Sequence, residues 1–351
     1  MRSPKIFEFP NSKAFNHHPV HGKGFGYNSR IYRGSFIKEI EKYYGRTGLA
    51  LKIFYTTANQ GDPGDIPRSK FSTLTIRESA SVVNIFNTYG LAPRIYDVVT
   101  LHNKGLYRSA YVVGYISGRC SHKQVSLVAD KMRKYEKWFK LCLDNNTNNA
   151  IGGKWVDFEQ FDFKPVYKEH LKNKLDKVAN WGPWSNYQDI RGFYRGARRT
   201  RKRIKQMGLD KINFEGKTVL DLGCSGGEFA RYADDQGAKY VMGVDTPKIA
   251  KVAEELSRYL GYHRIDFCGR DLTKDKLKLP KFDIILFFSM AHHVGYRKYL
   301  SELCNEMVIY EGNARTRDKE VEEGLTKDFS EFKIISHTTD LFDRPVGIAR
   351  K

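Results

Sequence analysis

Five cysteines in 351 residues, Cys120, Cys142, Cys224, Cys268 and Cys304, with no CxxC pair among them, exclude a disulfide framework and a zinc knuckle. No run of about eighteen apolar residues occurs, so no membrane span is expected. The opening MRSPKIFEFPNSKAFNHHPV has no apolar core of the secretory kind. Together these absences point to a cytoplasmic protein with reduced thiols. His17, His18 and His21 have no second ligand cluster at useful spacing, so a loop is expected there and no metal site. Acids are scarce: 40 against 60 Lys and Arg, a formal charge of +20. Such a field favours anionic partners, RNA or a phosphorylated glycan among them. Between Arg191 and Lys205 there is no acid at all.

The remaining sequence supports two folded parts. Over residues 1–165 the pattern is α+β. Strands are expected at Ile31–Phe36 and Gly48–Tyr55, separated by a turn at Gly45–Gly48. A helix is expected from Ile76 to Tyr89, ended by Gly90, then strands at Arg94–Val99 and Ser109–Ile116. A further helix should run from about Lys123 to Leu143. Residues 166–210 read as a connector. It holds an amphipathic helix over Tyr167–Ala179, a break at Trp181-Gly182-Pro183-Trp184, and a basic helix whose face is Ile190, Phe193, Ala197, Ile204 and Met207. That helix over 191–205 is a candidate phosphate-tracking surface; the alternative is an ordinary solvated face.

Over 211–351 strands and helices alternate, as in a doubly wound α/β sheet. Thr218-Val219-Leu220-Asp221 is a buried strand ending on a carboxylate. Gly223-Cys224-Ser225-Gly226-Gly227 follows as a turn of almost no bulk, and a helix starts at Glu228. Glycines let a ligand approach the backbone, and the helix N-terminus presents free N–H groups. A second strand ends at Asp245, a third leads to Arg270-Asp271-Leu272, and a fourth runs Phe282–Ser289 into Met290-Ala291-His292-His293. A fifth spans Glu306–Gly312, and a closing hairpin, Phe332–His337 with Pro345–Arg350, reverses the last strand. The turn also fits G-x-S-x-G, a hydrolase elbow around Ser225, but no strand of its sheet precedes it by enough. A dinucleotide site would need a third glycine where Glu228 stands.

The segments VLDLGCSGG, GVD, RDL and FDIILFFSMAHHV, in that order, resemble the class I S-adenosylmethionine (SAM) methyltransferases. The resemblance implies a Rossmann-like sheet, and SAM held by Asp221, Gly223, Cys224, Ser225, Gly226, Gly227, Asp245, Asp271, Leu272 and Ser289. In that family a preceding helix brings Tyr and Arg to the cofactor carboxylate; Tyr187, Arg191 and Arg195 are the matching positions. Methyl transfer needs a base only when the acceptor starts protonated. The candidates are His292 and His293 after the fourth strand and Glu311 after the fifth. No Asn/Asp-Pro-Pro-Tyr follows the fourth strand, which disfavours amino methylation of DNA bases.

The N-terminal order, with Lys52 on a strand, Glu78 on the next helix, Asp144 and Asn149 in a loop and Asp157-Phe158 beyond, resembles a compact protein-kinase-like domain. The resemblance implies a nucleotide site of Lys52, Glu78, Asp144, Asn149 and Asp157 with ATP and Mg. Cys142-Leu143 replaces the family's His-Arg before the loop Asp, and the glycine loop is reduced. Three functions follow as expectations. The first is a SAM-dependent methyltransferase acting on O or N of a glycan, small molecule or RNA. The second is a bifunctional kinase-methyltransferase of a surface polysaccharide. The third is a basic RNA-binding protein that keeps a SAM site.

Overall fold

The computed structural model describes residues 5–10, 28–55, 76–103, 106–118, 120–141, 143, 150–155, 162–179, 188–193, 195–274, 276–313, 316–339 and 343–351. They form two compact units. Apart from the first residues, one is Ser3–Glu169 with Arg258–His263, and the other is His170–Ser257 with Arg264–Lys351.

The first unit is built on a five-stranded sheet of β1 (Ile6–Glu8), β2 (Asn28–Tyr32), β3 (Leu49–Tyr55), β4 (Ile95–Asn103) and β5 (Leu106–Gly114), in the order β1-β4-β5-β3-β2. Its pairings are antiparallel except β1 with β4. Helix α1 (Ile37–Tyr44) connects β2 to β3 along the chain, where only strand and turn were expected. Its cause is legible in retrospect. Ile37, Ile40 and Tyr44 are spaced for one helical face and are buried, and Gly45 ends the helix at φ 62°. That face joins Phe9, Phe36, Leu51, Val99 and Val112 in one core. Helix α2 (Ile76–Thr88) matches expectation, with Ala80, Val83 and Phe86 buried.

Helix α3 (His122–Arg133) starts on a capping box: Ser121 accepts from the Gln124 N–H and the Gln124 side chain accepts from the Ser121 N–H. It stops ten residues before the expected Leu143, because Lys134–Trp138 turn and a short pair follows, β6 (Phe139–Lys140) with β9 (Asp162–Phe163). Between these lie β7 (Ala150–Ile151) and β8 (Lys154–Trp155). Helix α4 (Val166–Ala179) leads to the second unit.

The second unit carries a seven-stranded sheet. In chain order its strands are β10 (Thr218–Leu222), β11 (Tyr240–Asp245), β12 (Ile265–Gly269), β13 (Phe282–Phe288), β14 (Cys304–Glu311), β15 (Glu331–Thr338) and β16 (Arg344–Arg350). The spatial order is β12-β11-β10-β13-β14-β16-β15. The first five strands are parallel, and β16 runs antiparallel to both β14 and β15. This is the expected α/β, Rossmann-like sheet with its closing hairpin. The parallel strands are apolar runs because helices cover both faces. In chain order the helices are α5 (Thr200–Gln206), α6 (Glu228–Asp235), α7 (Pro247–Tyr259), the single turns α8 (Ala291–Val294) and α9 (Tyr299–Glu302), and α10 (Thr316–Asp328). The order reverses at β10, where the carboxyl ends of β11, β10 and β13 lie in a row. In open α/β sheets ligands bind at that point.

The basic stretch is not one helix. Among its described residues only Thr200–Gln206 is helical. Before it the backbone folds back, with Gly192 at φ 77° and Gly196 so close to Gln188 that a Cβ would lie 2.3 Å from the Gln188 carbonyl carbon. The Asp189 carboxylate holds this fold by accepting from the Gly196 N–H (2.7 Å) and the Thr200 N–H (3.0 Å).

Candidate functional site

Strand β10 delivers Asp221, 2% exposed, to the floor of the glycine turn. Its Oδ2 is buried with no hydrogen-bond partner among the described residues. Burial first, then the Asp245 charge, pushes the Asp221 carboxyl up to about 7. A buried carboxylate oxygen left open in this way is suited to a cation. The turn above it is shaped by exclusion. Gly223 sits at φ 76°, and a Cβ there would lie 2.3 Å from Met290 Sδ. A Cβ at Gly226 would lie 2.3 Å from Ile190 Cδ1. Gly227 leads into α6 at φ 78°, where any side chain is strained.

Cys224 is buried, and burial pushes its thiol well up, so it packs rather than reacts. Ser225 is held at φ 49°, and its N–H donates to Asp245 Oδ2 (2.9 Å). Asp245 also accepts from the Thr246 N–H (2.7 Å). Its carboxyl is raised, by burial first. Further along the same edge, Asp271 is exposed and locked in its own turn, accepting from the Thr273 N–H (3.0 Å) and hydroxyl (2.6 Å). These bonds draw its carboxyl below the usual range. Leu272 is buried, and its carbonyl accepts from the Tyr299 hydroxyl.

No ligand is needed to see that SAM fits. Asp221 offers an orphaned acceptor for an ammonium group. The glycine turn leaves backbone where a chain must lie flat. Asp245, at the next strand end, suits paired ribose hydroxyls. Asp271 and Leu272 stand where the resemblance puts the adenine.

Three expected site residues have other work. Glu311 was a candidate base, but it is fully buried in a cationic clamp. Arg198 Nη2 donates to its Oε1 (2.8 Å) and Arg203 Nη2 to its Oε2 (2.5 Å), while Thr338 donates at 2.7 Å. Against its own burial, Arg203 and Arg198 hold its carboxyl well below the usual glutamate range, so it takes no proton near neutrality. Ser289 was expected on the cofactor. Its hydroxyl instead donates to Glu311 Oε2 (2.5 Å) and accepts from Arg198 (2.8 Å) and Arg344 (2.8 Å). One donor and two lone pairs are thereby used up. Arg191 was expected on the cofactor carboxylate, yet its Nη1 donates to Asp235 Oδ2 (2.9 Å) and its Nε lies 3.6 Å from Glu228.

The same clamp revises the basic surface. Arg198 and Arg203 are buried ion-pair members, whereas Arg195, Arg201, Lys202 and Lys205 are exposed. Sequence reasoning missed Arg198, Arg203, Arg344 and Asn313 as partners of the strand ends. An acid-free run beside a lone strand-end Glu311 was the available signal.

His292 and His293 occupy α8, with ring centroids 3.7 Å apart. His293 is exposed, within the electrostatic reach of Asp245. His292 is half-buried, and its Nδ1 pairs with the Asn313 side-chain amide. In the first unit Lys52 is half-buried on β3 and Glu78 is exposed in the first turn of α2. Tyr187, Asp144, Asn149 and Asp157 lie outside the described residues. Among the described residues no group of three His, Cys, Asp or Glu could hold a metal, and no helix is long and apolar enough to cross a membrane.

Residues 219–308 match a family profile described as "Methyltransferase domain". Over 113 residues the chain is 32% identical to protein arginine N-methyltransferase 1 of Saccharomyces cerevisiae, covering 31% of this chain and 32% of that one. Over 102 residues it is 28% identical to the ubiquinone biosynthesis O-methyltransferase of Pseudomonas fluorescens, covering 28% and 43%. The chain thus spans less than half the length of either relative. Among solved structures, the bifunctional kinase-methyltransferase WbdD is similar at 19% identity and a TM-score of 0.40, over 50% of this chain and 45% of that one. The magnesium protoporphyrin IX methyltransferase of Synechocystis PCC 6803, solved with SAM bound, is similar at 18% identity and a TM-score of 0.36, over 52% and 97%. By the family match, the second unit carries a methyltransferase domain over residues 219–308.

Proposed function

We propose that the chain transfers a methyl group from SAM to an oxygen or nitrogen of an acceptor, with the first unit recognising that acceptor. The observation that carries this reading is Asp221: a buried carboxylate with one orphaned oxygen under a glycine-rich turn, one strand from Asp245. SAM, when bound, supplies a methyl already activated as a sulfonium. The chain's own residues then hold the donor and align the acceptor with it. Asp221 holds the amino group, Asp245 the ribose, and Leu272 with Asp271 the base. The relatives include an N- and an O-methyltransferase, so the acceptor atom is a matter for the site and not for kinship. Anionic acceptors such as RNA or a phosphorylated glycan are supported by the +20 charge and by exposed Arg195, Arg201, Lys202 and Lys205. A kinase-like first unit using ATP and Mg rests on the sequence resemblance, with Lys52 on β3 and Glu78 on α2 as its described members.

The test is calorimetric titration of SAM into wild type and Asp245→Ala. Loss of hydrogen bonds to a charged group should weaken binding about 10- to 100-fold. Equal affinity, or no SAM binding by wild type, overturns the reading.

A further inference from the structure

Asp221 and Asp245 end adjacent strands at one cradle, and their surroundings treat the two carboxylates differently. Asp245 has a backbone donor on each oxygen: the Ser225 N–H on Oδ2 at 2.9 Å and the Thr246 N–H on Oδ1 at 2.7 Å. Such donors favour the charged form. Asp221 is supported by the Ala230 N–H in the first turn of α6, while its Oδ2 is buried with no partner. The cations within reach are held elsewhere. Arg203, from α5, donates to Glu311 at 2.5 Å. Arg231, from α6, donates to Glu228 (2.6 Å), the Gly226 carbonyl (2.8 Å) and Ser257 (3.0 Å). On its other side β13 sets Leu286, without charge, opposite Asp221. The nearby Cys224 thiol is kept neutral by burial. Two carboxylates so placed repel, and the one with the bare oxygen is the one that keeps a proton.

We infer that the ligand-free protein carries a proton on Asp221 Oδ2 and that SAM binds by exchange, its ammonium group taking that oxygen while the proton leaves to solvent. The inference rests on the methyl-transfer reading and adds a condition to it: cofactor loading is coupled to pH. Below pH 7 an α-amino group is already an ammonium, so the ligand brings the charge and the protein gives up the proton. Burial, then the Asp245 charge, raises the Asp221 carboxyl to about 7 without a ligand, and an ammonium against it draws it back down. Protons therefore compete with SAM. Affinity should fall about tenfold for each pH unit below 7 and be level above. His293, exposed and within electrostatic reach of Asp245, is the rival source of a proton.

Calorimetric titration of SAM into the full chain at pH 6, in two buffers of different ionisation heat, counts the protons. About one should be released per SAM bound, falling off as pH passes 7. Methylthioadenosine, which keeps the ribose and base but has no amino group, should release none. Asp221→Asn should bind SAM without release, and His293→Gln should keep the release. Where Asp221→Asn fails to hold SAM, methylthioadenosine and His293→Gln decide the matter. SAM bound by wild type at pH 6 without proton release overturns the exchange. So does equal release with methylthioadenosine, release that persists in Asp221→Asn, or release lost in His293→Gln. Each of these leaves the methyl-transfer reading standing. A wild type that binds no SAM at any pH overturns that reading, and the exchange with it.

Discussion

At Asp221 the energetics are dominated by burial. An aspartate whose carboxyl is raised from 3.8 to about 7 holds its proton in the folded state where the unfolded chain has lost it. Stability is therefore fully present below pH 4 and falls as pH rises towards 7, beyond which it is level. At about 1.4 kcal/mol per pH unit the loss is roughly 4 kcal/mol. In Asp221→Asn that slope should disappear: urea unfolding at pH 4, 5.5 and 7.5 should show the variant gaining on wild type throughout, and parallel curves would refute the account. This carboxylate was legible in the sequence because a strand that ends on an acid before glycines has few other uses. The role of Ser289 was not. Nothing in FFSMAHH shows that its hydroxyl closes a circuit with Arg198, Glu311 and Arg344, since those partners lie 91, 22 and 55 residues away.

Among elements, β14 and the short helix α5 are joined by Glu311. Both carboxylate oxygens are saturated, and the partners Arg198 and Arg203 are buried with the acid. Such a pair adds little over an apolar substitute, but removing one member strands the others. Glu311→Ala should lower stability by about 3–5 kcal/mol, read as a fall in the denaturant midpoint. The folded carboxyl is depressed, so its contribution is present above the ordinary glutamate range and fades as pH falls below it. The same pairing explains why the basic stretch was misjudged as an exposed helix. Periodicity shows which residues share a face; it does not show that Asp189 folds the chain back first or that a distant acid is waiting. By contrast, the five parallel strands and the reversed β16 were readable from runs of Val, Ile and Phe at regular intervals. Helix α1 was hidden by aromatic and β-branched residues that suit a strand equally well.

For the whole molecule, the division into units does not follow the order of the chain. Arg258–His263 belongs to the first unit. There His263 is buried, its Nδ1 pairs with Asn84 Nδ2 at 3.0 Å, and its carbonyl accepts from Arg94 at 3.0 Å. Burial lowers the His263 imidazole well below its ordinary value, so the ring stays neutral. A fragment of residues 170–351 would keep that segment but lose Asn84 and Arg94. It should unfold at a lower denaturant concentration than the same region in the full chain, with Tyr262 newly reactive to a tyrosine label; an unshifted midpoint would contradict this. The arrangement also sets a timetable. On the ribosome the first unit cannot close when its own residues have emerged, since Asn84 waits until residue 263 has been made. By then β10, the glycine turn and β11 already exist, so the cofactor cradle has its first two strands before the first unit is complete.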